Sequence, residues 1–341
     1  MKSSLGSIIH GGPVDENEIK RVRDLLLYEG ATIKHRMVRF FCLLVLAASI
    51  ATFGLLGNSL AVVIGAMIIA PLMQPIMGLA FSVSIGDRQT MTSSLLVSLG
   101  GILTAIAVGF ILTFPMASII QPENIDQIMI RTAPRLLDLL AALATGFAGA
   151  FAISRKDVSD TLPGVAIAVS LVPPLANVGI LLALGKTNLA LGSLLLFVTN
   201  YLAILLTGSL IFGLMGFSKV AILEYSSRAK RKAIVIALVA LLVIMIPLTY
   251  TSYTLVVNNT ITARVYRLGN EWLEGTGYRL VTVNAETADN TVNMIILGDG
   301  EVPDTALLEQ QAQGLLFGRP LRVETIQSSS YIISPGLADA E

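Results

Sequence analysis

The sequence predicts an α-helical integral membrane protein with seven spans. They form a three-plus-three inverted repeat plus one, with broken second and fifth spans, followed by a small C-terminal α+β domain. Three observations carry this reading. The 341 residues are 54% hydrophobic and 13% charged, where a soluble domain carries about 25% charged residues. The apolar residues fall in blocks free of Asp, Glu, Lys and Arg, among them 40–86, 89–122 and 187–218. Pro71 and Pro75 interrupt one such block near its middle, and Pro173 and Pro174 interrupt another.

A spanning helix needs about 20 apolar residues. The first block therefore holds two helices, joined by the turn-prone "GLLGNS" at 54–59. The expected spans are about 38–56, 60–85, 91–114, 136–154, 161–184, 189–215 and 233–257. Residues 1–37 form an N-terminal segment, expected to be disordered through residue 18. It is too polar to be a cleaved signal peptide, so span one serves as its own insertion signal. Counted over the alternating loops, fourteen Lys and Arg lie on the side of the N-terminus and three on the other. The excess marks the cytoplasmic face, which places the N-terminus inside a plasma (inner) membrane and the C-terminal tail outside. Net charge is zero, and no nucleic-acid partner is expected; the partners are the lipid bilayer and a small solute. The lone Cys42 permits no intrachain disulfide.

The prolines recur in register. A shift of 99 residues lays Gly65 on Gly164, Leu72 on Leu171 and Pro75 on Pro174, and lays spans one to three on spans four to six. Repeat one covers about 38–114, repeat two about 136–215, and 233–257 is the extra span. A unit of three spans enters the membrane from the opposite side at each copy, which makes the repeat inverted. Proline removes an amide donor and collides with the carbonyl four residues back. A carbonyl freed in hydrocarbon costs several kcal/mol unless protein or water satisfies it. Two matched breaks therefore point to polar backbone at the centre of the membrane, where transport sites of inverted repeats lie. The plainer alternative is a pair of kinks that shape packing alone.

The residues expected to line a pathway are Pro71, Gln74, Pro75, Ser170, Pro173, Pro174, Asn177 and Asn200. The uncharged amides could equally hold helices together by hydrogen bonds. Ala141, Thr145 and Gly149, spaced by four, are expected packing contacts. No ionisable residue lies near the centre of any span, which disfavours a carboxylate proton pump. Asp138, near Arg131 and Arg135, is expected in an interfacial salt bridge or as an entrance charge. The prolines suit the first turn of the following half-helix. Each break then exposes few free amides while freeing the carbonyls of Ile68, Ile69, Val169 and Ser170. That favours a cation or a neutral polar solute over an anion. Phosphate-loop, dinucleotide, HExxH and CxxC motifs are absent from the sequence. The reading is not an enzyme, with no cofactor and no metal; His10 and His35 are too far apart in sequence to suggest a metal pair.

After residue 257 the composition changes. The order helix (261–275), strand "YRLVTVNAE", strand "TVNMIILGD", helix (302–318) and strand "LRVETIQSS" predicts an extracytoplasmic α+β domain over 258–328, with 329–341 as a disordered tail. Small-residue helix faces and this compact module suggest a homo-oligomer.

The blocks "VVIGAMIIAPLMQPIMGLAFSVSIGD", "LLAALATGFAGAFAI", "LPGVAIAVSLVPPLANVGILLALG" and "LFVTNYLAILLTGSLIF" resemble the hydrophobic membrane-protein family catalogued as domain of unknown function 389. The resemblance runs over about residues 38–216, in the family's order. It implies an integral membrane protein and carries over no catalytic residues. Many relatives have a longer soluble N-terminal region than this one. The functional expectation is a membrane transporter or channel for a small ion or polar solute, with its pathway between broken spans two and five. The alternative is a membrane-anchored scaffold or sensor acting through the C-terminal domain.

Overall fold

The computed structural model describes residues 16–28, 33–155, 171–220, 227–285, 291–299, 302–312 and 314–327. The chain divides between Thr251 and Ser252 into two compact units.

The first unit is helical. Its elements are α1 (Glu16–Leu26), α2 (Ile33–Leu56), α3 (Leu60–Ile69), α4 (Met73–Ile85), α5 (Arg88–Thr113), α6 (Asp126–Met129), α7 (Leu136–Ser154), α8 (Val172–Ala183), α9 (Thr187–Leu214) and α10 (Phe217–Val220). The unit boundary falls within α11 (Ser227–Leu273). Among the described residues, α2, α7, α9 and the stretch Arg88–Met116 are long and apolar enough to cross a membrane, and α3 with α4, bent by 51° at the break, meets the same measure when taken as a pair.

Four or five of the seven expected spans are thus found among the described residues. The expected fifth span, 161–184, begins in residues outside the described set. Its described part, α8, has 12 residues and reaches only about 18 Å at 1.5 Å per residue. The expected seventh, 233–257, lies inside α11, whose 47 residues also take in the helix expected to begin at 261. No Gly or Pro stands between Pro247 and Gly269 to end it.

The N-terminal segment also departs from expectation, since it is helical from Glu16. Val22 and Leu26 are buried along one face and Ile19 packs beside them. Glu16 and Glu18 in the first turn and Arg23 in the last oppose the helix dipole.

Two short helices form the centre. Twelve of the thirteen residues of α4 are buried, and so is every residue of α8 from Val172 to Leu181. Both α5 and α9 pack against each of them. Phe81 of α4 meets Phe212 and Phe217 edge-on, with ring centroids 5.4 and 5.5 Å away. The α5–α8 crossing is backbone on backbone: a Cβ on Gly109 would overlap Ala176, and one on Gly179 would overlap Ile106 and Phe110.

On α7 the packing stripe is Ala142, Gly146 and Ala150, where Gly146 closes on Ile204 and Thr207 of α9. Of the expected Ala141, Thr145 and Gly149, only Gly149 is buried, while Ala141 is exposed. A spacing of four fixes a stripe's pitch but not its phase, which the facing helix sets. Leu46, Phe53, Leu96, Leu103, Ile111 and Leu137 point outward, an apolar exterior suited to hydrocarbon.

The second unit is α+β. Strands β1 (Tyr278–Asn284), β2 (Val292–Gly298) and β3 (Leu321–Gln327) form one sheet in that order. The β1–β2 pair is antiparallel. The β2–β3 pair is parallel, which requires the crossover that α12 (Thr305–Ala312) supplies. Val292, Met294 and Ile296, alternating along β2, pack against Ile261, Val265 and Leu308. The expected order of elements is present; the expected tail, 329–341, lies outside the described residues.

Candidate functional site

The break in span two starts the site. The last bond of α3 runs from the Ala70 amide to the Ala66 carbonyl (3.2 Å), and Ala70 is extended at φ −66°, ψ 123°. Pro71 has no amide, so the Met67 carbonyl loses its donor four residues on. The chain re-enters helix where the Gln74 amide donates to the Pro71 carbonyl (3.1 Å). Pro75 is then the third residue of α4, where an absent amide loses no helical bond. Pro173 and Pro174 hold the matching place, second and third residues of α8, and both are buried. Ser170 and Val169 lie outside the described residues. A cavity of about 240 Å³ opens at the first break, lined by Leu25, Leu26, Pro71, Met73, Gln74 and Met77.

Gln74 is engaged at both ends of its amide. Its Nε2 donates to the Leu25 carbonyl (2.7 Å), and its Oε1 accepts from the Tyr28 hydroxyl (3.2 Å). Leu25 and Tyr28 belong to an N-terminal strap, Glu16–Tyr28, seated along α4. Arg36 of α2 holds the same strap, donating to the carbonyls of Leu27 (2.7 Å) and Leu25 (2.9 Å), with its guanidinium 5.6 Å from the Tyr28 ring centre. Arg21 donates to the Ile153 carbonyl at the end of α7 (2.9 Å). Arg23 lies 3.4 Å from Asp87, which caps α5 through the amides of Gln89 and Thr90. Burial raises the Tyr28 pKa above the ordinary phenol value, with Arg36 and Arg39 opposing. The hydroxyl therefore stays a donor at neutral pH.

Asn177, fully buried on α8, meets a different strap. Its Nδ2 donates to the Ile128 carbonyl (3.0 Å) and to Ser193 Oγ (2.8 Å), and Ser193 in turn donates to the Arg131 carbonyl (3.0 Å). Ile128 and Arg131 belong to a middle strap, Pro122–Thr132, that precedes α7 as the N-terminal strap precedes α2. Gln127 bonds Asn58 in the α2–α3 turn (3.0 Å), Lys186 pairs with Glu123 (2.7 Å), and Gly192 of α9 has no room for a Cβ against the Thr132 carbonyl. Burial pushes the Arg131 guanidinium pKa down, with Asp138 opposing. Asp138 itself accepts from the Arg135 amide (2.8 Å), which caps α7, while its charge acts on Arg131. Gln74 and Asn177 are thus not brought together; each ties a half-helix to its own strap.

Asn200 is buried on α9. Beside it, the Tyr201 hydroxyl faces Ser98 of α5, yet neither oxygen makes a well-formed hydrogen bond among the described residues. Asn177 Oδ1 and Thr113 Oγ1 are buried without partners in the same sense. Sequence reasoning missed Ser98 and Tyr201, because a hydroxyl within an apolar run reads as neutral until a facing helix closes over it. Among the described residues no three of His, Cys, Asp and Glu come together as a metal site.

Residues 67–206 match the sequence model of the family described as Domain of unknown function (DUF389). An uncharacterized protein of Methanocaldococcus jannaschii is 29% identical over 213 residues, a match that takes in 60% of this chain and 65% of that protein. No solved structure matches the chain. The stretch that matches the family model takes in Pro71, Pro75, Pro173 and Pro174 and both buried half-helices, α4 and α8.

Proposed function

We propose that the helical unit is a membrane transporter or channel for a small ion or polar solute, built as an inverted repeat, with its pathway along the broken spans. One observation carries this reading: the two half-helices are latched alike. Gln74 and Asn177 each donate a carboxamide hydrogen to a strap carbonyl 49 residues earlier. In both cases the strap immediately precedes the first span of its repeat. The latch pairs are related by one helical turn more than the 99-residue register of the prolines. A protein needing only a rigid anchor gains nothing from two proline-broken helices in its core. The facing hydroxyls of Ser98 and Tyr201, buried between α5 and α9, add polar capacity where hydrocarbon would penalise it.

The charge distribution puts the N-terminal strap on the cytoplasmic side and the middle strap outside. The preference for a cation or neutral polar solute rests on the sequences of the broken spans, which hold no basic residue, while Arg36, which donates to the same Leu25 carbonyl as Gln74, weighs against it. Homo-oligomerisation is kept with the reading, checked by mass in mild detergent. The deciding experiment is flux through full-length protein in liposomes, over a panel of alkali cations, small anions and neutral polyols. Flux of at least one solute above empty liposomes is expected; none across the panel removes the reading.

A sensor role for the second unit is favoured by a separate cavity of about 740 Å³ beside α12 and β3. Its lining includes Leu308, Glu309, Leu316, Arg319 and Val323. Saturable binding of a small molecule there, with no flux in liposomes, would establish that alternative.

A further inference from the structure

We infer that the two straps are the two gates of the pathway, with Gln74 the latch of the inner gate and Asn177 the latch of the outer one. This rests on the transport reading above and adds to it the parts that open and the state the structure represents.

The N-terminal strap packs apolar side chains on α4, and the middle strap, packed on α2, reaches α8 through the Asn177–Ile128 bond. Leu26 and Leu27 of the N-terminal strap are 2% exposed, and Ile128 of the middle strap is 0% exposed. Each strap is held by a few polar contacts, among them span side chains donating to strap carbonyls (Gln74 and Arg36 on one side, Asn177 and Ser193 on the other) and strap groups donating back to the spans and turns (Tyr28, Arg21 and Gln127). Such contacts exchange readily for water when the strap lifts. The seats are small: α1 has 11 residues and α6 has four, so neither buries enough apolar surface to lock its position irreversibly.

Both latches are made at once here, which is the occluded arrangement. Lifting the N-terminal strap uncovers the cavity at Pro71, Met73 and Gln74 to the cytoplasm. Lifting the middle strap uncovers Asn177, whose Oδ1 has no partner among the described residues, to the outside. Gln74 and Asn177 then offer a carboxamide to a passing solute in turn, each only while its own gate is open.

The test is cysteine labelling of the full-length protein, oriented in membranes and carrying Cys42→Ser. Leu26→Cys reports the inner gate and Ile128→Cys the outer, with a membrane-impermeant maleimide as probe. Adding Gln74→Ala should raise labelling of Leu26→Cys from the cytoplasmic side by about tenfold, the effect of losing about 1.4 kcal/mol of latch. Ile128→Cys should stay unchanged. Adding Asn177→Ala should do the converse from outside. Tyr28→Phe, a milder change, covers the case in which Gln74→Ala fails to fold. Straps that stay unreactive in folded latch variants, or cysteines that become reactive together, would overturn the two-gate assignment. The expected labelling pattern with no flux, even with both latches removed, would instead overturn the transport reading.

Discussion

The two straps do the same job with different forces. The N-terminal strap is held largely by charge: Arg36 on two carbonyls, Arg21 on a third, and Arg23 beside Asp87. The middle strap is held by neutral hydrogen bonds in a dry site, Asn177 to Ile128 and Ser193 to Arg131, and by backbones pressed together at Gly192 and Thr132. The glycines of the two half-helices face different surroundings. Gly78 on α4 leaves 3.1–3.3 Å to Ser94, Leu26 and Leu27, whereas Gly179 on α8 abuts the backbone of α5. The N-terminal strap is thus held mainly through charge, the middle strap through neutral hydrogen bonds and close backbone approach. Charge contacts weaken with salt and distance; close packing responds to volume and not to salt.

The largest effect should separate the two glycines. Gly179→Ala forces a Cβ into main-chain atoms that cannot move singly and should cost about 3 kcal/mol. Gly78→Ala, whose Cβ would lie 3.1–3.3 Å from the Ser94 hydroxyl, the Leu26 carbonyl and the Leu27 side-chain end, tight but without overlap, should cost about 1 kcal/mol. Thermal midpoints in detergent check this, and equal losses would erase the distinction. Next in size, Arg36→Ala removes two hydrogen bonds from a charged donor and should loosen the N-terminal strap by about 2 kcal/mol. Ser193→Ala, on the middle strap, should cost about 1 kcal/mol. Hydrogen exchange over 16–28 and 122–132 would resolve the two.

A smaller effect comes from salt. Raising it from about 0.1 M to about 1 M shortens the screening length from roughly 10 Å to 3 Å. Exchange in the N-terminal strap should rise measurably while the middle strap stays unchanged. Similar acceleration of both would contradict the electrostatic contrast. Smallest of all is Lys186→Ala. Its partner Glu123 is an exposed carboxylate, and exposed pairs contribute little. No measurable change in stability or in exchange over 122–132 is expected; a clear loss would show the middle strap to be charge-held after all.

The sequence by itself determined the helical class, the positions of α2, α5, α7 and α9, the proline breaks and the order of the C-terminal elements. These are local quantities: hydropathy over about 20 residues, proline chemistry, and the alternation in β1 and β2. The α1 helix is legible too, in Ile19, Val22 and Leu26 at helical spacing, although its high charge content masks so short an apolar face. Only the tertiary structure decided what the polar residues touch. That Gln74 bonds Leu25 and Tyr28, that Asn177 bonds Ile128 and Ser193, and that Ala142 instead of Ala141 faces α9 depend on the rotation of one helix against another. Rotation is set by close packing at Gly109, Gly146 and Gly179. No single segment carries that information, because each contact needs two surfaces and the sequence states only one at a time.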